Sequence, residues 1–517
     1  MSISPALSNP SQHQSASQQS KKAIPLNEAS LAQLSSQQVR VPQYDRKAVS
    51  TGIVHIGVGG FHRSHQALYI DSYLAQQADR KAGLQWGICG VGLLKYDQKM
   101  QAALQAQDCL YTLVERDSEQ DTARIVGAIT EYLFAPDDPQ AVIDKLAGDR
   151  CRIVTLTITE GGYYVIEGTG EFDAKDPTIQ HDLQHPDQPA GVYGFLTAAL
   201  KQRREKGLPP FTVLSCDNIQ GNGNTARKML TAFARLQDAD LGEWIDQHVA
   251  FPNSMVDRIT PATTPADIQM VSDHFAIQDA WPVVAEPFIQ WVIEDNFCNG
   301  RPDWESVGVQ MTDDVHPYEM MKLRLLNAGH SLLGYLGALL GDTYTSEAMN
   351  NPLIRQALER LMNEVTPTLP PLPGINISDY KQTLIERFSN PKVRDQLSRL
   401  CLNGSDKLPK FVLGSLRDKL DRGGAIDYLS FVIAVWFRYL QGQDEQGQPL
   451  QIDDPMADIL TERAKRGGKD PTALLSMTEL FGDLSQSPRF TQAVTDHLQQ
   501  LYALGTEEAL SQLLASP

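Results

Sequence analysis

The spacing of hydrophobic positions changes at about residue 300 and divides the chain into two parts. Before this point, apolar runs at 52–56, 86–91, 152–158 and 211–216 alternate with helix-like segments. Strands that alternate with helices predict a mostly parallel sheet with helices on both faces. After this point, apolar residues recur at helical intervals and strand-like runs nearly disappear. We therefore predict an α/β part followed by an all-α part.

The predicted boundaries follow from this change of pattern. We expect a mobile N-terminal tail with a short helix over residues 1–45, an α/β domain over 46–295, and a helical domain over 296–517. The helices expected in the last domain are 318–340, 347–362, 377–387, 391–401, 411–421, 425–441, 455–466 and 490–502.

The helix over 318–340 is apolar on nearly every side, which is typical of a buried helix. At about 100° per residue, Glu319, Lys322, Asn327 and His330 share an arc of roughly 140°. Because buried polar groups need partners, this arc predicts the wall of a polar cavity. The alternative is a core helix whose polar side chains only satisfy their neighbours.

A glycine-rich turn follows the first strand. Gly57 and Gly59 fit a turn in which the backbone approaches the pyrophosphate of a dinucleotide at a helix start. The third glycine of the usual motif is missing, because His62 stands in its place. An ordinary connection between a strand and a helix is the alternative.

Polar residues also follow the other strands. Asp97, after the second strand, could hold the ribose hydroxyls of NAD, although the neighbouring Lys95 favours the extra phosphate of NADP. A solvated loop acid is the alternative for Asp97. Asn218 follows the 211–216 strand, where ligands bind in such sheets; it could also be a cap for the helix expected at 225–236.

Three further charged positions have both a functional and a structural interpretation. Asp257 could belong to the site or form an ion pair with the adjacent Arg258. Arg399 and Lys407 flank a glycine-containing loop. These two cations could donate hydrogen bonds to hydroxyl groups of a ligand, or they could be ordinary surface charges.

Composition narrows the partners. The 517 residues carry a formal net charge of −18, which argues against nucleic-acid and anionic-membrane partners. Six scattered cysteines, without a CxxC pair, fit a reducing compartment and offer no zinc framework. The chain contains no run of about 18 apolar residues, so we expect no transmembrane helix. We expect a cytoplasmic protein.

Several of these motifs together resemble one family, the polyol-specific long-chain dehydrogenases of the mannitol dehydrogenase type. The resemblance covers nearly the whole chain after about residue 45. Its most specific parts are 57–63, 157–162, 215–218, 251–261 and the spacing of Lys322, Asn327 and His330.

The resemblance implies a Rossmann-like domain that binds NAD, a helical substrate domain, and metal-independent hydride transfer from a secondary alcohol. Lys322 would be the acid/base, and Asn218 and Asn327 would bind the reacting oxygen. His330, Asp257, Arg399 and Lys407 would hold the sugar chain, and Glu319 would line a proton route. The implied cofactor-binding residues are Gly57, Gly59, Gly60, Phe61, Arg63 and Asp97.

Within the family we expect D-mannitol and D-fructose as the substrate pair, with the protein acting as a monomer. Fructuronate reductase (mannonate oxidoreductase) and D-arabinitol 4-dehydrogenase are the alternatives. Arg399 and Gly161 favour the mannitol enzymes, whereas 201–208 and 320–324 resemble the reductases. A non-enzymatic nucleotide or sugar sensor, a metal-dependent dehydrogenase using His62 and His65, and a short-chain dehydrogenase pair of Tyr318 with Lys322 are the rival interpretations.

Overall fold

A computed structural model describes residues 22–37, 39–78, 83–166 and 168–516 of the chain. The mobile tail predicted over 1–21 lies outside the described residues, as does Gln38 at the end of the first predicted helix. The strands are β1 (Ile24–Pro25), β2 (Thr51–Ile56), β3 (Gly87–Gly92), β4 (Tyr111–Arg116), β5 (Asp121–Val126), β6 (Ile129–Phe134), β7 (Ile153–Leu156), β8 (Thr212–Ser215), β9 (Ser254–Asp257), β10 (Ile277–Gln278), β11 (Val283–Ala285), β12 (Gln290–Glu294) and β13 (Gln310–Thr312).

Ten α-helices accompany the strands of the described chain up to residue 312. They are α1 (Leu31–Ser36), α2 (Gly60–Ser64), α3 (Gln66–Gln76), α4 (Gln98–Gln105), α5 (Pro139–Ala147), α6 (Pro177–Gln184), α7 (Val192–Glu205), α8 (Asn222–Gln237), α9 (Ala239–His248) and α10 (Pro265–Phe275).

The remaining helices form the C-terminal part. They are α11 (His316–Met321), α12 (Ala328–Leu340), α13 (Thr345–Asn350), α14 (Pro352–Val365), α15 (Ile377–Ser389), α16 (Leu397–Cys401), α17 (Gly404–Leu408), α18 (Gly414–Asp421), α19 (Asp427–Tyr439), α20 (Ala457–Gly467), α21 (Thr472–Leu475), α22 (Thr478–Phe481), α23 (Pro488–Leu504) and α24 (Thr506–Ala515). The predicted α/β and all-α division is confirmed.

The main sheet has five parallel strands in the order β6-β3-β2-β7-β8. The glycine-turn strand β2 is central, and the chain adds strands outward on both sides of it, as in a Rossmann-like fold. Because the strands are parallel, the segments that follow β2, β3, β7 and β8 meet at one edge of the sheet. This edge carries the glycine turn, Asp97, the 157–162 segment and Asn218.

Two smaller sheets extend the first part toward the helices. One has the order β11-β4-β5 and the other β13-β12-β9. Strand β13 lies beyond the boundary predicted after residue 295, yet it pairs with β12 in parallel. The first helix likewise packs into the fold, since β1 pairs with β10 and Leu34 belongs to a buried cluster with Ile277.

The helical part buries a continuous apolar core around α12 and α19. Its helices differ from the predicted ones at proline positions. The predicted 347–362 helix is two helices, α13 and α14, because Pro352 starts a new one capped by Asn351. The helix predicted from 391 begins only at Leu397, beyond Pro391. Among the described residues no helix is both long enough and apolar enough to cross a membrane.

Two helices contain π-helical turns, which the helical periodicity does not predict. Residues Lys322–Asn327 form a π-turn between α11 and α12, and Pro409–Leu413 form another between α17 and α18. The helix predicted over 318–340 is therefore continuous but wider in its first third. π-turns are rare and concentrate at functional sites.

We expect the Gly57→Ala substitution to destabilise the protein by on the order of 3 kcal/mol. Gly57 has a φ of +93°, and an added Cβ would lie 2.0 Å from the Thr157 carbonyl oxygen. The backbone of β2 or β7 would have to move. The measurement is the free energy of unfolding in urea. Gly161→Ala is the matched control, because nothing lies within 4 Å of its Cβ position; equal losses in both variants would contradict this account.

Candidate active site

A large cavity lies where the edge of the main sheet faces the first long helix of the C-terminal part. Its volume is about 1360 Å³. The sheet side contributes the segments after β7, β8 and β9, and the helical side contributes residues from the π-turn and α12. Seven of the residues predicted from the sequence line it: Phe61, Asn218, Asp257, Lys322, Asn327, His330 and Arg399.

The Lys322 amine is the buried cation at the centre of this wall, with 8% of the residue exposed. Its Nζ donates to Asn218 Oδ1 at 2.6 Å and to the Val256 carbonyl oxygen at 2.6 Å. Burial lowers the pKa of Lys322 below its usual value, against the opposing charge of Asp257. An amine in this environment releases its proton more readily than an exposed lysine does.

The π-turn decides which side chains share the wall with Lys322. In a regular α-helix, Lys322 and Asn327 would point in directions about 140° apart. A π-turn bonds residue i to residue i+5, so residues five apart lie almost one turn apart. Lys322 and Asn327, the first and last residues of the π-turn, therefore both reach the cavity.

His330 lies beyond Asn327 on the same wall. Its ring is 4.6 Å from the Phe388 ring, and its buried Nε2 has no hydrogen-bond partner among the described residues. Burial and the nearby Arg399 charge lower the pKa of His330 well below its usual value. A neutral imidazole with an unpaired nitrogen is suited to hydrogen bonding with a substrate hydroxyl group.

Asn218 belongs to the site and does not cap a helix. The following helix, α8, begins at Asn222 after Gly221, so the interpretation of Asn218 as its cap is wrong. Because the amide oxygen of Asn218 accepts from Lys322, its amide nitrogen remains as the donor that faces the cavity. The neighbouring Asp217 fixes the opposite wall, accepting from the backbone N–H groups of Ile158 at 3.0 Å and Thr159 at 2.9 Å.

Asp257 is paired, but not with the partner considered in the sequence. Both of its oxygens accept from Arg387, at 2.8 and 2.9 Å. Arg258 instead donates to Glu115 at 2.6 Å and to the Glu286 carbonyl oxygen. An ion pair between Asp257 and Arg258 is therefore wrong. Burial is the largest influence on Asp257 and would raise its pKa, but the charge and hydrogen bonds of Arg387, together with the charges of Lys322 and His65, outweigh burial and lower that pKa.

Arg399 and Lys407 have different positions. Arg399 lines the cavity with its side chain 54% exposed, and Asp395 holds it at 2.8 and 2.6 Å. The Lys407 amine lies behind it, within 3.4 Å of the Arg399 and Leu400 carbonyl oxygens, and does not line the cavity. Lys407 thus contacts the end of the helix that carries Arg399.

Glu319 faces a second, smaller cavity of about 400 Å³, which also contains Asp314 and His316. Its Oε1 accepts from the Gly221 backbone N–H at 2.9 Å. Burial raises the pKa of Glu319 to about 7. Lys322 lies one helical turn further along and interacts electrostatically with it. Glu319 therefore stands between the lysine and a second opening.

The glycine turn fits a dinucleotide. Gly57 adopts a positive φ that a side chain would obstruct, while the space at the Gly59 Cβ position is open except for the Gly57 carbonyl oxygen at 4.0 Å. Gly60 begins α2, and Phe61 projects into the large cavity. The residues present therefore fit a pyrophosphate at the turn and a ring beside Phe61.

Arg63 and Asp97 also have defined surroundings. The Arg63 guanidinium is buried, donates to the Gly59 and Trp281 carbonyl oxygens and lies over the Tyr111 ring. Its side chain is therefore committed to holding the turn. Asp97 lies after β3 in a short helical turn and accepts from the Leu94 N–H at 2.9 Å. Burial raises its pKa.

The residues of the rival interpretations are engaged elsewhere. The Tyr318 hydroxyl donates to the Pro373 carbonyl oxygen at 2.9 Å and does not line the cavity with Lys322. The rings of His55 and His62 stack at 3.4 Å, and His65 Nε2 lies 2.8 Å from the Gln290 carbonyl oxygen. Within the described residues, no group of three or more metal-ligating side chains is placed to hold a metal ion.

Sequence reasoning missed three acidic or basic residues that support the site: Asp217, Glu286 and Arg387. Asp217 follows a buried strand directly, which is a usable signal for a residue at a ligand-binding edge. Arg387 occupies a buried position in α15 that repeats with Tyr380 and Leu384. A charged residue in an apolar stripe needs a partner, and this signal could have found it.

Two family models match the chain. The mannitol dehydrogenase Rossmann domain matches residues 51–306, and the mannitol dehydrogenase C-terminal domain matches residues 314–502. Mannitol dehydrogenase 2 of Saccharomyces cerevisiae is 49% identical over 92% of this chain and 94% of its own length. Mannitol 2-dehydrogenase of Neosartorya fischeri is 48% identical over 94% of this chain and 98% of its own.

Two solved structures of related dehydrogenases match this chain along nearly its whole length. The ternary complex of Pseudomonas fluorescens mannitol 2-dehydrogenase with NAD and D-mannitol is 47% identical, with a TM-score of 0.84 over 96% of this chain and all of that one. A substrate-free D-sorbitol dehydrogenase is 35% identical, with a TM-score of 0.88 over 94% of this chain and all of that one. With both halves matched in sequence and the whole chain matched in structure, this protein belongs to the mannitol dehydrogenase family.

Proposed function

We propose that this protein interconverts D-mannitol and D-fructose with NAD, using Lys322 as the acid/base. One observation carries the proposal: a buried lysine amine from the helical part is hydrogen-bonded to Asn218 at the edge of the nucleotide-binding sheet. Asn327, His330 and Asp257 line the same cavity. The relatives named for mannitol and the solved relative that contains NAD and D-mannitol support this substrate and cofactor.

Oxidation of a secondary alcohol needs a base within hydrogen-bond reach of the hydroxyl group. NAD, when bound, accepts the hydride. Neutral Lys322 takes the hydroxyl proton, and burial favours the neutral form because it lowers the pKa of the amine. The amide groups of Asn218 and Asn327 donate to the developing alkoxide. Such preorganised donors typically contribute about 3–4 kcal/mol each to transition-state stabilisation.

The other cavity residues hold the polyol chain. Asp257 accepts from hydroxyl groups, His330 offers its unpaired nitrogen, and Arg399 donates from the exposed end of the cavity. Lys407 supports the helix end that carries Arg399. For the cofactor, the turn at Gly57, Gly59 and Gly60 would hold the pyrophosphate, Phe61 would contact the nicotinamide side, and Asp97 would bind the ribose.

The proton taken by Lys322 needs a way out of the cleft. Glu319 interacts with Lys322 on one side and faces the second cavity on the other. Because the pKa of Glu319 is raised to about 7, this carboxyl can carry a proton in either direction at neutral pH.

We further propose that the enzyme is a monomer in the cytoplasm. Its six cysteines are all free, which fits a reducing compartment.

The test of the function is a substrate panel with purified protein: D-mannitol, D-sorbitol, D-arabinitol and D-mannonate, each with NAD and with NADP. We expect mannitol with NAD to have the highest kcat/KM, and Lys322→Ala to lower it about 10³-fold through loss of the general base. The measurement is NADH formation by absorbance.

Lys410→Ala is the matched control, because Lys410 is an exposed lysine that pairs with Asp406 on the surface. It should keep wild-type turnover. NADH binding without turnover of any polyol or ketose would favour a sensor, and a preference for mannonate would favour the reductase. Near-normal turnover by Lys322→Ala would refute the lysine mechanism.

The two reaction directions should have opposite pH dependences. Mannitol oxidation needs neutral Lys322, so kcat/KM should rise with pH and level off above the pKa of the amine. Fructose reduction needs protonated Lys322, so it should fall over the same range. Because burial lowers the pKa of Lys322, both changes should occur below the usual lysine range. Initial rates across a pH series measure this; parallel profiles in the two directions would contradict it.

Asp97→Asn should shift the cofactor preference from NAD toward NADP by about tenfold in kcat/KM, because the carboxylate that repels the extra phosphate is gone. Asparagine keeps an oxygen that can accept from the Leu94 N–H, so the local turn is preserved. Steady-state kinetics with both cofactors measure the shift. An unchanged ratio of kcat/KM for NAD and NADP would favour the alternative, in which Asp97 is a solvated loop acid.

A further inference from the structure

Arg387 lies directly behind the substrate cavity and does not line it. It comes from α15 in the helical part, whereas the two carboxylates that it contacts come from the strand-containing part. Asp257 accepts from Nη1 and Nη2 at 2.8 and 2.9 Å. Glu286 accepts from Nε and Nη2 at 2.9 and 2.8 Å. The guanidinium thus makes two bidentate pairs: its Nη1–Nη2 edge binds Asp257, and its Nε–Nη2 edge binds Glu286.

The surroundings leave this guanidinium one orientation. The Phe288 ring lies 4.0 Å from its central carbon. Glu286 is itself held, since its Oε1 also accepts from the Ile259 N–H at 2.6 Å. The side chains of Arg387, Asp257 and Glu286 are 4%, 6% and 2% exposed, so solvent does not screen their charges. Glu286 therefore fixes Arg387, and Arg387 fixes Asp257.

Of these three residues, Asp257 lines the cavity. A carboxylate on a single bond can rotate, and a rotating acceptor does not select one hydroxyl group of a flexible polyol. Two parallel bonds from a fixed guanidinium remove that freedom, because bidentate pairs add geometric specificity to the attraction. The remaining lone pairs of Asp257 then face the cavity in a set direction.

We propose that Arg387 is a positioning residue for the substrate: it fixes the Asp257 carboxylate across the junction of the two parts so that Asp257 can bind a polyol hydroxyl group. The inference rests on the proposed polyol dehydrogenase function. It assigns a role in substrate binding to a residue that does not touch the substrate.

The same arrangement sets the charge around the catalytic amine. The groups that face Lys322 from neighbouring elements are Asp257, Glu319, Arg387, His65 and His330. Loss of the Arg387 charge removes a repulsion from the protonated amine and leaves Asp257 less neutralised. Both effects favour protonated Lys322, so the pH at which oxidation begins should move upward.

Two substitutions separate geometry from charge. Arg387→Lys keeps the positive charge but has no planar fork for two carboxylates. Arg387→Gln removes the charge as well. We expect both to raise the KM for mannitol about tenfold or more, with the KM for NAD within about twofold of wild type. Only Arg387→Gln should move the rising limb of the oxidation profile to higher pH.

The control is Arg203→Lys. Arg203 is another fully buried arginine, but it donates to the Pro209, Leu146 and Gly148 carbonyl oxygens and does not line the cavity. It should lower the thermal midpoint without changing either KM. If Arg387→Lys also lowers only the thermal midpoint and keeps the KM for mannitol within about twofold of wild type, Arg387 is merely structural and the proposal is overturned.

A double-mutant cycle tests whether Arg387 acts through Asp257. If it does, Arg387→Lys should add less than about twofold to the KM for mannitol of Asp257→Asn, because the positioned group is already impaired. Full additivity would overturn the proposal. Failure of the wild-type enzyme to turn over any polyol would refute the proposed function and this inference together. If the wild type is active and Arg387→Lys has an unaltered KM for mannitol, the inference alone is refuted.

Discussion

The hydrogen bonds of one buried amine join the two parts of this enzyme where the chemistry takes place. Lys322 comes from the helical part, and its partners belong to the other part: Asn218 follows β8, and the Val256 carbonyl oxygen lies in β9. A lysine removed from water loses hydration, and two acceptors only partly replace it. The amine therefore releases its proton more readily than an exposed lysine, and it lines the same cavity as Phe61, which follows the glycine turn.

The π-turn makes this arrangement possible within one helix. A regular α-helix would place Lys322 and Asn327 about 140° apart, at the two edges of the polar arc. The wider turn brings both to the cavity, while Leu325 of the same turn stays in the core. Catalytic and packing demands are met by a local change in winding, with the helix continuous on both sides.

A buried cluster of two acids and one arginine lies at the junction of the two parts. Asp257 and Glu286 are buried acids, and either would be strongly unfavourable without a cation. Arg387 supplies that cation from the opposite part, so neutralisation of the acids requires the two parts to be assembled. The charge near Lys322 and the junction of the two parts thus depend on one buried cluster, to which we also assign the proposed positioning of the substrate.

Much of the architecture could be read from the sequence. Short apolar runs and helical repeats distinguish the α/β part from the helical part, and Gly57 marks the strand turn because only glycine fits its conformation there. Lys322, Asn327 and His330 were recognisable as polar residues in an apolar helix. Such signals are local: each depends on residues within a few turns of one another along the chain.

What only the tertiary structure decided depends on residues far apart in sequence. Asp257 pairs with Arg387, 130 residues away, rather than with its neighbour Arg258. Adjacent residues of a strand point to opposite faces, so nearness in sequence did not predict that partner. The π-turn was equally hidden, because its winding depends on packing around the helix. The sequence therefore determined the two-part fold and the polar residues of the central helix, and tertiary packing decided their orientation and their partners.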